Sequence, residues 1–309
     1  MKTLITGSMA FDTIMVFEDH FKNHILPDQT HILNVSFLVP QMTRFYGGCA
    51  GNIAYTLKLL GGDPVIMATV GEDFGPYQRY LADRGLTSSH IKVIKDSFTA
   101  QAFITTDIAN NQINAFHPGA MNDAHQNHVS DAAEIAFGII SPDGADAMIQ
   151  HAHEFAEQNI PFIFDPGQQL PRFDGEQLRT FISQATYAVV NDYESELLLD
   201  RTGLSCEEIA AQLDAFVITR GAEGSEVYSQ GEVHHVPAAS ISQAVDPTGC
   251  GDAYRAGVLY GLTLGKDWKT CAQLGSVCGA IKIEHHGTQS HHFTAEQFAQ
   301  RYADNFGAL

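Results

Sequence analysis

Basic residues are scarce in this chain: 17 Lys and Arg stand against 36 Asp and Glu, a formal net charge of −19 over 309 residues. Nucleic acid and anionic membrane surfaces are recognised by clustered cations, so the composition argues against both as partners. A small-molecule partner fits better. If it is anionic, local backbone donors and a metal must hold it, because the overall field repels it. Cysteine is sparse as well. Cys49, Cys206, Cys250, Cys271 and Cys278 are odd in number and form no C-x-x-C pair, so neither a disulfide framework nor a zinc site is indicated. No apolar run reaches membrane-spanning length. The N-terminal MKTLITGSMAFDTIMVF is interrupted by Gly7, Ser8 and Asp12 too early for a secretory signal. A reduced, soluble, cytoplasmic protein is the expectation.

Also missing are internal repeats and low-complexity linkers. What is present is a 44% hydrophobic content, enough for a packed core, arranged as an alternation. GNIAYTLKLLGG reads as helix, PVIMATVG as strand and YQRYLADRG as helix. IAFGIIS, IPFIFDPG, YAVVN and AFVITRG then read as strands with helices between them. Apolar runs of strand length separated by helices predict parallel strands with right-handed crossovers. The fold class expected is α/β, a doubly wound and mainly parallel sheet flanked by helices, in one domain over 1–309. Two regions break the alternation: 11–45, with TIMVF and HILNVSFLV, and 99–117, which reads as a hairpin turning at Asn110 and Asn111. Together they predict a small β-sheet lid, over roughly 12–45 and 99–118, closing on a cleft.

The most informative stretch is AVDPTGCGDAYRAGVLYGL, from Ala244. Gly249 and Gly251 permit a tight turn, and the run from Ala253 has the composition of a buried helix. The amides of Gly249, Cys250, Gly251 and Asp252 are then placed at a helix N-terminus, where unpaired N–H groups and the dipole attract an anion. A simple cap would need only Asp or Ser there, without glycines on both sides of Cys250.

DPTGCGD is similar to the D-T-x-G-A-G-D signature of the ribokinase-like (PfkB) carbohydrate and nucleoside kinases, and GGCAGNIA from Gly47 resembles that family's N-terminal glycine motif. GSMAFD, GEDFG, NDYE, TRGAEGS and GTQS follow in the family's order, so the resemblance spans nearly the whole chain. Pro247 and Cys250 depart from the signature's Thr and Ala, and neither departure removes an amide from the anion hole. The resemblance implies ATP-dependent phosphorylation of a primary hydroxyl, with Asp252 as the base and the amides of Gly249, Cys250 and Gly251 around the phosphoryl group. It also implies Mg2+ near Asn191 and Glu194, partly through water, with Asp165 tuning the site. Asn191, Thr219, Gly221, Gly224 and Gly251 would lie on the nucleotide. Asp246 matches the family's monovalent-cation ligand, which implies K+ as an activator. The same residues have plainer readings: Asn191 and Glu194 as a capping box, Asp165 as a turn acid, and Thr219 to Gly224 as a β-turn.

For the phosphate acceptor, the resemblance points to Asp12, Gly47, Gly48 and Asn52. A carboxylate can accept two hydroxyls at once, which suits a cis-diol. The plainer readings make Asn52 a helix cap and Asp12 a turn acid. FYGGCAGNIAYTLKLLG and AFHPGAM look more like the bacterial and archaeal nucleoside or adenosine kinases of the family than its sugar kinases. Phe116 and Met121 are expected to flank a purine ring. The expected activity is transfer of the γ-phosphoryl group of ATP to the 5′-hydroxyl of a ribonucleoside, with adenosine leading. A sugar kinase of the same family and a non-catalytic nucleoside-binding protein are the alternatives. A homodimer through exposed lid edges is a further expectation. Other signals fail: ITGSMAFD lacks a dinucleotide-binding G-x-G-x-x-G, and GLTLGKD lacks the spacing of a phosphate-binding P-loop. The pairs His234/His235, His285/His286 and His291/His292 read as surface histidines. A nucleophilic Cys250 explains the flanking glycines less well than phosphate binding does.

Overall fold

The computed structural model of the chain describes residues 1–25, 35–109 and 111–308. In chain order the strands are β1 (Lys2–Thr6), β2 (Ala10–Val16), β3 (Gln41–Gly47), β4 (Asp63–Val70), β5 (His90–Val93), β6 (Ala100–Thr106), β7 (Gln112–His117), β8 (Ile135–Ile140), β9 (Phe162–Phe164), β10 (Tyr187–Asn191), β11 (Ala215–Thr219), β12 (Ser225–Ser229) and β13 (Glu232–Val236). The helices are α1 (Cys49–Leu59), α2 (Gly75–Asp83), α3 (Ala145–Glu157), α4 (Gly175–Gln184), α5 (Asp192–Thr202), α6 (Cys206–Ala210), α7 (Cys250–Thr263), α8 (Trp268–Ile283) and α9 (Ala295–Phe306). None of the described helices is long and apolar enough to cross a membrane.

Nine strands form one sheet in the order β13-β12-β11-β10-β9-β8-β1-β4-β5. From β5 to β11 every pairing is parallel, as expected of strands joined by helical crossovers. The last two pairings are antiparallel. Their connections explain it: between Thr219 and Ser225 there is only a single 3-10 turn, too short for a crossover. Successive side chains divide between two cores. Ile5, Ile139, Ile163, Val189 and Val217 pack on the face that carries α1 and α7. Leu4, Ile140, Phe164, Val190 and Ile218 pack on the face of α3, α4 and α5, where Phe164 stacks on Phe181 with ring centroids 4.4 Å apart.

The second sheet has four strands in the order β3-β2-β6-β7, from the two segments that break the alternation. HILNVSFLV is not a strand where it can be described: 35–39 have no regular structure, 26–34 lie outside the described residues, and pairing begins at Gln41. Asn110 also lies outside them. The β6–β7 turn is organised by Asp107, which accepts hydrogen bonds from the amides of Ala109, Asn111 and Phe21. Those bonds outweigh burial and hold its carboxyl at about 2.

Candidate active site

The C-terminal ends of β8, β9, β10 and β11 open into a cleft of about 610 Å3, where Pro142, Asp165, Asn191 and Thr219 stand. That is where open α/β sheets present ligand sites. The turn before α7 closes its floor. Gly249 is the N-cap of α7 with φ +79°, and a Cβ there would meet Thr288 Cγ2 at 2.9 Å, so both conformation and space call for glycine. Asp252 is the third residue of α7 and does not cap it. Instead its Oδ2 accepts from Asn52 Nδ2 at 2.8 Å. The amides of Gly249, Gly251 and Asp252 find no acceptor among the described residues, whereas the Cys250 amide already donates to Pro247 O at 3.2 Å. The amides left free to meet an anion are therefore Gly249, Gly251 and Asp252, whereas the Cys250 amide of the expected set is already engaged. Burial also pushes the Cys250 thiol up to about 11, the opposite of what a nucleophile needs.

Asn52 is the fourth residue of α1, not its cap. The cap is Gly48, with φ +87°, packed so closely that a Cβ would lie 2.5 Å from Ser8 O. The Asn52 amide is fixed on both sides, because its Oδ1 accepts from Gln289 Nε2 at 2.9 Å. Gln289 in turn touches the Tyr77 hydroxyl, which donates to Gly47 O at 2.9 Å. A buried network thus joins the Gly47–Gly48 loop to Asp252. Gln289 belongs to GTQS, to which sequence reading gave no role. Burial raises the Asp252 pKa, and Asn52 and Arg255 oppose that shift.

Arg255 is the second residue that sequence reading missed. One helical turn beyond Asp252, it is buried. Its Nε lies 2.6 Å from Asp165 Oδ2 and its Nη2 3.8 Å from Glu194 Oε2, while Nη1 and Nη2 donate to Gly251 O and Val189 O. Burial pushes Asp165 up to about 7 against the pull of Arg255. Its Oδ1 is buried without a partner among the described residues. Asn191 and Glu194 do form a reciprocal capping box on α5, at 2.7 and 2.8 Å. No group of three His, Cys, Asp or Glu among the described residues would hold a metal alone. The orphaned Asp165 oxygen beside Glu194 suits Mg2+ brought in on phosphate oxygens, since that ion keeps several waters and takes few carboxylates.

The opposite wall belongs to the small sheet. Asp12, Ala102 and Phe116 form one row across β2, β6 and β7, and all three line the cleft. Gly47 lies under Asp12, and any side chain there would collide with its carboxylate. Burial, followed by the charges of Asp252 and Asp246, pushes Asp12 up to about 6. Phe116 is 53% exposed. Met121, expected beside the base, does not line the cleft: on its 3-10 turn it is buried in a cluster with Ala100 and the cleft-lining Ala10.

Thr219, Gly221 and Gly251 are shared with a second cavity of about 480 Å3, which Gly224, Ala238, Ile241 and Ile283 also line. Its apolar walls suit an adenine ring. Asp246 lies beneath the turn. Its carboxylate accepts from the amides of Thr248 and Gly287, which overcome burial and hold it low. Its carbonyl accepts from Lys282 Nζ at 2.6 Å. The histidine pairs are not uniformly on the surface: His291 is fully buried against Tyr55 and Thr56, and burial lowers it to about 3.

Comparison with known proteins agrees with this fold. The model for pfkB family carbohydrate kinases matches residues 12–294. Among solved structures, a nucleoside kinase of Burkholderia thailandensis in complex with inosine superposes with a TM-score of 0.89 at 49% identity, covering 99% of this chain and 98% of that one. The same enzyme in complex with ADP-inosine gives a TM-score of 0.87 at 50% identity, covering 99% and 96%. A nucleoside kinase of Methanocaldococcus jannaschii is 29% identical over 274 residues, 87% of this chain and 89% of that protein.

Proposed function

We propose, for a chain that belongs to the pfkB family of carbohydrate kinases, that it is an ATP-dependent nucleoside kinase and phosphorylates the 5′-hydroxyl of a purine ribonucleoside, adenosine first. One observation carries the reading: Asp252 stands at the start of α7, beside three unpaired amides and across the cleft from Asp12. A carboxylate with an ordinary pKa near 3.9 cannot pre-ionise an alcohol near 15.7, so Asp252 takes the proton late, as the new O–P bond forms. Such help is worth on the order of 10²- to 10⁴-fold. Positioning and charge stabilisation supply most of the rest, through the amides of Gly249, Gly251 and Asp252 and the dipole of α7.

Asp165 and Glu194 would hold Mg2+, with Asn191 beside them. When bound, that ion neutralises phosphate charge. Thr219, Gly221 and Gly224 border the nucleotide, with its adenine in the apolar cavity. Asp12 accepts the 2′- and 3′-hydroxyls, and Phe116 covers the base from a small sheet that acts as a lid. The inosine complex of the Burkholderia thailandensis enzyme supports a purine nucleoside over a free sugar. Exposed Met42, Phe103 and Ile113 on three lid strands support pairing of two lids in a homodimer, which size-exclusion chromatography would register. We place the enzyme in the cytoplasm, where its ATP is. The functional test is ADP release from MgATP with adenosine, inosine, uridine, ribose and fructose. Turnover on purine nucleosides and not on ribose is expected; turnover on a free sugar alone would replace this reading with the sugar-kinase one.

A further inference from the structure

Lys282, near the end of α8, is the one lysine fully buried among the described residues. An ammonium out of water is costly unless oxygen atoms replace its hydration. Here they come from backbone: Nζ donates to the carbonyls of Asp246 at 2.6 Å and His285 at 3.3 Å, with Asp246 Oδ2 at 3.9 Å. Asp246 is also tied through its carboxylate to Thr248 N and Gly287 N. Lys282 therefore fastens the chain ahead of Gly249 to the segment that packs against it, Gly287–Thr288. Burial lowers the Lys282 pKa, while Asp246, Cys250 and Asp252 push it the other way, so its charge is felt across the turn.

These are the surroundings of a dehydrated monovalent cation: carbonyl dipoles and one carboxylate, at the residue to which the family resemblance assigns potassium. The Lys282 ammonium already faces the carbonyl and carboxylate oxygens of Asp246, and a K+ on the same oxygens would stand against a like charge, so K+ does not fit as an addition beside it. We propose that the Lys282 ammonium is a tethered monovalent cation that holds the 246–251 turn in its anion-binding shape and makes the enzyme independent of added K+. Lys282 touches no substrate and acts as a positioning residue. The proposal rests on the reading of this turn as the phosphate site.

The test compares wild type with Lys282→Ala, which leaves space for an ion, and Lys282→Met, which fills it. Assays use K+, NH4+, Na+ or choline chloride at constant ionic strength. Wild-type kcat should stay within about 2-fold across the series. Lys282→Ala should lose about 10-fold or more in choline and regain at least about 5-fold with K+ or NH4+, whereas Lys282→Met should lose activity without rescue. Thermal midpoints give a readout independent of turnover: K+ and NH4+ should raise that of Lys282→Ala and leave wild type unmoved. If the protein proves to be no kinase, this shift still tests the ammonium's role. Wild-type stimulation by K+ of about 5-fold or more, full activity of Lys282→Ala in choline, or a folded Lys282→Ala that neither ion rescues would overturn the proposal. Should Lys282→Ala not fold, the wild-type series decides alone, flat for the proposal and K+-stimulated against it.

Discussion

Asp252 and Asp12 face one cleft from supports of opposite character. Asp252 is anchored in the body. Asn52 grips it, Gln289 grips Asn52, and α7 packs so closely on α8 that a Cβ at Gly257 would lie 2.6 Å from Gly275 N. Asp12 sits on a four-stranded sheet with little core of its own, whose outer strand β7 has every side chain exposed. A region with few buried apolar contacts opens at low free-energy cost, whereas a side chain held by buried hydrogen bonds on a closely packed helix resists movement. On the proposed function, the groups assigned to the chemistry are thus fixed, and those assigned to the acceptor are mounted where they can move.

The sharpest break in this comparison comes from the body. Asp252→Asn should lower kcat at least about 100-fold while leaving the acceptor KM within a few-fold. Near-normal turnover would remove Asp252 as the base. Next in size, Asp12→Ala should raise the acceptor KM about 10- to 100-fold and the ATP KM far less, because two substrate hydroxyls lose their acceptor. Equal changes in both constants would place Asp12 outside the acceptor pocket.

The pKa of about 6 at Asp12 adds a pH signature. Acceptor kcat/KM should fall as the pH drops through about 6, because the protonated carboxyl no longer accepts two hydroxyls. Stability runs the other way. The folded pKa lies above the unfolded value, so this group's contribution is fully present below about 4 and is lost as the pH rises through about 6. Asp12→Asn should therefore raise the thermal midpoint at pH 7.5 and lose that advantage at pH 4. A variant equally stable or less stable at pH 7.5 would contradict the assigned burial. The smallest effect belongs to Phe116, which is half exposed: Phe116→Ala should cost about 1 kcal/mol with a nucleoside and leave a free sugar unaffected. Equal losses on both would exclude contact with the base.

Much of the site was legible because its residues are contiguous. The 246–252 turn displays glycines, acid and helix in one run, and Asn191 and Thr219 each end a strand recognisable by its apolar run. What escaped depends on contacts across the chain. Arg255 lies inside an apolar helical run, and nothing nearby reveals that Asp165 and Glu194 neutralise it. Gln289 reaches Asn52 across 237 positions. Lys282 reads as an ordinary solvated lysine at a helix end until its carbonyl partners are seen. Met121 has the composition of a ligand wall, but its turn puts it in the core, and His291 is buried because Tyr55 and Thr56 claim it. The antiparallel β12 and β13 follow from connection length, which apolar runs alone do not convey.

The central claim, that the anchored body transfers the γ-phosphoryl group to the 5′-hydroxyl of a nucleoside held by the lid, is tested most directly by product identity. Adenosine and MgATP would be incubated with the enzyme and followed by phosphorus NMR. The account predicts ADP and a nucleoside 5′-monophosphate in equal amounts, the latter's signal split by the two 5′ protons. ADP with inorganic phosphate and unchanged adenosine, or phosphate on the 2′- or 3′-oxygen, would contradict it.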